Sequence, residues 1–178
     1  MKLHTTLLAL AATVVAGCAS TPSYVQDSLP DAVKVPAGHR VAMETVGVGE
    51  ITYECRAKTG MADAHEWVFV GPKAALNDRS GKTVGSYFGP PATWALLDGS
   101  KLTGAQLAVA PAGAGNIPLQ LVKANAATGS GAMSGISHIQ RVATRGGVAP
   151  AMPCATTTLG QKQVVNYQAD YIFWKAAS

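Results

Sequence analysis

Strict alternation of side-chain character, with no helical period competing against it, limits the folds open to this chain more than any other feature. Glu50-Ile51-Thr52-Tyr53-Glu54-Cys55-Arg56 sends Ile51, Tyr53 and Cys55 one way and polar groups the other. Near the C-terminus, Val165, Tyr167, Ala169, Tyr171 and Phe173 share one face of a second such stretch. Arg40 to Val46 alternates less cleanly, and Glu66-Trp67-Val68-Phe69-Val70 is a short run of β-formers that Gly71-Pro72 is expected to end. Further strands are expected at Trp94 to Leu97, Lys101 to Ala110, Ile117 to Lys123 and Ser134 to Arg141. Asn77 to Gly81 and Asp98-Gly99-Ser100 read as turns, and Ala112 to Asn116 and Thr128 to Gly131 as loops. The pattern implies an all-β, antiparallel β-sandwich or barrel-like domain of roughly eight to eleven strands.

The N-terminus reads as an export signal. Lys2 gives a positive start, and the apolar run Leu7 to Ala16 is about ten residues long, too short to span a bilayer as a helix. It ends in Val15-Ala16-Gly17-Cys18, which looks like a bacterial lipobox: an aliphatic residue, two small ones for the peptidase cleft, and a cysteine whose sulfur takes the lipid. The expectation is a signal over residues 1–17, a lipidated Cys18 opening a flexible tether over 18–32, and one β domain over 33–178. Ala19 follows the cysteine. In lipoproteins that this segment resembles, an aspartate there retains the protein at the inner membrane, so Ala19 implies the periplasmic face of the outer membrane in a cell that has one.

Removing the signal takes only Lys2 from a formal net charge of +4. The remaining lysines and arginines are scattered, which argues against a nucleic-acid partner. The expected partners are the membrane, through the lipid, and an envelope ligand or protein. Of three cysteines, Cys18 goes to the lipid, which leaves Cys55 and Cys154 as an even pair in an oxidising compartment. The default reading is one internal disulfide closing a loop of about 100 residues. There is no Cys-x-x-Cys and no histidine pair at ligand spacing, so neither a metal nor any other cofactor is expected.

Several motifs fail on inspection. Ser80-Gly81-Lys82-Thr83 looks like the end of a phosphate loop, but Leu76 stands where the first glycine belongs. Gly47-Val48-Gly49 lacks its third glycine, since position 52 is Thr52, and reads as a turn. Gly135-Ile136-Ser137-His138-Ile139 lacks the closing glycine of a nucleophile elbow. Glu50 and Glu54 share a strand face at about 13 Å, too far apart for a glycosidase pair. His39, His65 and His138 are distant in sequence. The tryptophans and tyrosines could stack a sugar, although aromatics in alternating strands usually form core. Tyr87, Trp94 and His138 are the candidates for such a ligand surface. Asp170 lies on the same strand face as Ile172 and Trp174 and needs a partner there, and Arg141 is the candidate for a structural ion pair with it.

Several pieces resemble the domain of unknown function 3455 family, found in bacterial and fungal proteins. They are Gly49 to Cys55, Trp67-Val68-Phe69, Gly85 through Trp94 with Asp98-Gly99-Ser100, Ile139 to Val142 with Thr144, Gly146-Gly147 and Pro150, Cys154, and Tyr167 to Phe173. The resemblance supports pairing Cys55 with Cys154. It implies no activity and no catalytic residue. Typical members are expected to carry a histidine near Tyr87 and a tryptophan near Leu119, and this chain departs from both. The reading is an envelope lipoprotein whose β domain binds or scaffolds without catalysis. The alternative is a carbohydrate-active or hydrolase-like enzyme with an unrecognised site.

Overall fold

The computed structural model describes residues 24–61 and 63–177; the signal segment and Cys18 lie outside the described residues. Its longest strand, β1 (His39–Ala57), runs straight through Gly47-Val48-Gly49, where the sequence reads as a turn. The reason lies on the strand's inner face. A Cβ on Gly47 would sit 2.5 Å from Tyr171 Cε2, and one on Gly49 would run into the backbone of Lys73 and Ala74. Glycine here admits a ring and a neighbouring strand. Likewise β2 (His65–Asn77) does not stop at Gly71-Pro72. A Cβ on Gly71 would collide with the Gly89 carbonyl, so this glycine lets the next hairpin cross closely.

The remaining strands are β3 (Thr83–Phe88), β4 (Thr93–Leu96), β5 (Lys101–Ala110), β6 (Leu119–Ala124), β7 (Ile136–Gly146) and β8 (Lys162–Ala176). They pair antiparallel in chain order, and β1 closes on β8, giving an eight-stranded up-and-down barrel. The all-β expectation holds, in its barrel form. Turns fall where Asp78 and Asp98 accept backbone N–H bonds from Ser80 and Ser100, with Gly81 and Gly99 at φ +89° and +88°. The Ser80-Gly81-Lys82-Thr83 stretch is thus a hairpin and the start of β3.

Side chains of Leu76, Tyr87, Trp94, Ile139, Tyr171 and Phe173 fill the barrel. Cys55 and Cys154 are joined, with Cα atoms 5.4 Å apart, which ties the end of β1 to the loop before β8.

A second apolar cluster lies outside the barrel, under residues 24–36. Val33 and Val35 pack there on Leu121, Val142, Ile172 and Trp174. Gln140, fully buried, holds the strap down. Its amide donates to the Val33 carbonyl at 2.7 Å and to Gln26 Oε1 at 2.9 Å, and its oxygen accepts from Trp174 Nε1 at 2.9 Å. Gln26 also exchanges two 2.8 Å bonds with the Val35 backbone. The stretch from Tyr24 to Ala32, expected as tether, is therefore part of the domain. Strap, barrel and disulfide all lie within 24–177, so a chain starting at Ala19 keeps every described element of the core. Gln140→Ala would strand the Val33 carbonyl and the Trp174 indole N–H, and should lower the unfolding free energy by about 2–4 kcal/mol in urea titrations. A change under about 0.5 kcal/mol would mean that the strap contributes little.

Candidate functional site

The barrel is closed by hydrogen bonds over only part of its height. β2 pairs with β3 from Lys73 to Asn77, so residues 65–72 pair with β1 alone. β4 pairs with β5 only from Lys101 to Thr103, so residues 104–110 pair with β6 alone. The short β3–β4 hairpin closes the lower part and leaves the β2 and β5 edges unpaired above it, as a slot that residues 147–154 partly roof: the Gly147 carbonyl accepts from the Tyr53 hydroxyl and the Met152 carbonyl from Trp67 Nε1, each at 2.8 Å. Pro72, which has no N–H to offer, stands where the β2 edge becomes free. Exposed Phe69 lies on one edge and exposed Leu107 and Val109 on the other.

Register decides what faces this slot. Val109 pairs with Gln120, Gln120 with Arg141, and Arg141 with Tyr171. Directly paired residues project to one face of a sheet. Tyr171 is core, so Arg141, Gln120 and Val109 point into the barrel. Arg141 donates Nε and Nη2 to the Pro118 carbonyl at 3.2 and 2.9 Å. Among the described residues it pairs with no carboxylate. Gln120 Nε2 donates to Gln106 Oε1 at 2.7 Å beside it.

The floor is aromatic. Tyr87 and Trp94 stack with centroids 4.8 Å apart, and Tyr171 leans on Tyr87 at 5.0 Å. The Tyr167 and Tyr171 hydroxyls meet at 3.3 Å. Trp94 Nε1 and Thr45 Oγ1 are buried without a partner. Burial pushes the Tyr171 hydroxyl well above its ordinary value and raises Tyr167 and Tyr87, while the Arg141 charge pulls each back slightly. All three stay neutral donors near neutral pH.

A second opening, a cleft of about 340 Å³, lies between Met43, Val84, Leu96 and Leu97. Its three rim carboxylates are already engaged in structure, while the fourth charged lining residue, Lys82, makes no ion pair among the described residues. Asp78 and Asp98 accept turn N–H bonds, and Glu44 holds Arg79.

The sequence-derived candidates separate. Tyr87 and Trp94 do meet, but inside the barrel, Trp94 being 1% exposed, so they form a floor instead of a surface. His138 is elsewhere. It pairs with Trp174, which packs in the outer cluster, and its ring stands edge-on to His39 at 4.8 Å, with Nδ1 3.0 Å from Ser137 Oγ. Burial, then Lys123 and His39, hold its pKa below the usual value.

The Arg141–Asp170 ion pair does not form. Asp170 lies opposite Val142 while Arg141 lies opposite Tyr171, so the two leave opposite faces of the sheet. Asp170 instead takes Arg79 Nη1 at 2.6 Å, and the same guanidinium grips Glu44 at 2.9 and 2.6 Å. A double-mutant cycle should give about 0.5–1 kcal/mol of coupling for Arg79 with Asp170, since the group is partly exposed, and none for Arg141 with Asp170.

Among the described residues no three His, Cys, Asp or Glu side chains gather as a metal site. No curated protein and no solved structure matches the chain. The sequence model of one family, described as "Protein of unknown function (DUF3455)", matches residues 36–175, and the chain belongs to that family.

Proposed function

We propose that the chain is an exported lipoprotein, anchored through Cys18, whose barrel binds a small amphiphilic molecule through the slot between β2 and β5 without transforming it. The slot carries this reading: two strand edges left unpaired, over residues 65–72 and 104–110, with apolar side chains exposed along both and a buried aromatic floor beneath them. Binding is favoured over catalysis because the polar groups around the slot are an arginine, two glutamines and tyrosines whose protons are held above the ordinary range. Burial moves these tyrosines away from the neutral range in which a general acid or base works best. The Cys55–Cys154 disulfide suits an oxidising, exported environment.

Two measurements test it. Labelled palmitate should enter the wild type and not Cys18→Ala; equal labelling would remove the anchor. The chain from Ala19, exported on an ordinary secretory signal, should take up the neutral fluorophore N-phenyl-1-naphthylamine in one saturable step and release it to decanol. Val109→Trp, at an exposed position, should block that step. Linear, non-saturable uptake unaffected by Val109→Trp would refute the binding role.

A further inference from the structure

We propose that Arg141 is the anion subsite of this slot and takes the carboxylate of an amphiphile whose apolar body covers the exposed side chains at the slot edges. The inference rests on the amphiphile-binding reading above. Arg141 projects from β7 to the inner face, level with Gln120 on one side and Tyr171 on the other. Both of its hydrogen bonds go to one neutral carbonyl, so its charge has no counter-charge among the described residues. Asp170, the partner that the sequence suggested, is engaged on the opposite face of the sheet, where Arg79 holds it together with Glu44.

A cation turned to a partly dry interior without a partner carries a desolvation cost that an anionic guest would offset. The chemistry around it suits a carboxylate. Pro118 fixes the guanidinium through Nε and Nη2, leaving Nη1 with no protein bond. Guanidinium binds carboxylate more strongly than a neutral donor does. The Gln106–Gln120 pair supplies further amide groups beside it. A neutral amphiphile would leave the arginine as it is now, so head-group charge is what this site distinguishes.

The test uses decanoate and decanol at pH 8 on the chain from Ala19, read by displacement of N-phenyl-1-naphthylamine. Decanoate should bind the wild type at least about tenfold more tightly than decanol, the worth of one charge-assisted contact. Arg141→Gln should bring decanoate down to the decanol level while leaving decanol unchanged. Arg141→Lys, which keeps the charge and loses the fork, should retain part of the preference. Equal binding of the two in the wild type overturns the anion subsite and leaves the slot reading standing. A preference that survives in Arg141→Gln overturns it too. Failure of both compounds to bind overturns the slot reading and this subsite together. Should Arg141→Gln fail to fold, Arg141→Lys takes its place, and a decanoate preference that it leaves undiminished overturns the subsite.

Discussion

Replacing both Cys55 and Cys154 by alanine should lower the unfolding free energy by about 2–5 kcal/mol. The two residues are 99 apart in sequence, so the bond removes much of the freedom of the unfolded chain. Chain-entropy arithmetic for such a loop gives about 4.7 kcal/mol, and native disulfides usually realise somewhat less. The folded side changes little. Cys55 N–H still donates to the Gln161 carbonyl at 2.9 Å, and Gly160 N–H to the Cys55 carbonyl at 2.9 Å, with or without sulfur. Against a typical total of about 5–15 kcal/mol, the loss would be a large fraction of the domain's stability. Urea unfolding of the wild type and the double variant checks it, and a difference below about 1 kcal/mol would show that the loop is already constrained in the unfolded chain.

The second large effect concerns Trp94. Trp94→Ala should cost about 3–5 kcal/mol, because the indole is among the largest fully buried side chains and its stacking on Tyr87 would be lost. Trp94→Phe should cost far less, on the order of 1 kcal/mol. It leaves a smaller void, and it removes an indole N–H that finds no acceptor, which offsets part of the packing loss. Thermal unfolding of the two variants tests the account. Equal losses would mean that Nε1 has a partner in solution, such as an enclosed water.

Sequence periodicity revealed the last strand fully. Val165 to Phe173 alternates, and its apolar face is the barrel interior. It failed wherever glycine served a neighbour. Gly47, Gly49 and Gly71 look like turn residues until the Tyr171 ring, the β2 backbone and the Gly89 carbonyl are seen in the space a Cβ would need. Those contacts are long-range, and nothing local encodes them. The strap was misread as tether because its burial depends on Gln140, more than a hundred residues away.

Arg141 shows both sides of this. Its parity with Ile139 already put a charge on an apolar strand face. Which face of the neighbouring strand it met depended on register, and register was not legible, so Asp170 was paired with the wrong arginine. The slot itself follows from the shortness of β4, a length that turn chemistry at Asp98 fixes only at one end.

The central claim is that the slot is where this protein meets its ligand. Backbone and arginine Nε resonances of the nitrogen-15-labelled chain from Ala19, followed during decanoate titration, test that claim most directly. The account predicts saturable shifts at Gln106, Val109, Gln120 and Arg141. Shifts confined to Met43, Val84 and Leu97 at the other cleft, or none at saturating decanoate, would contradict it.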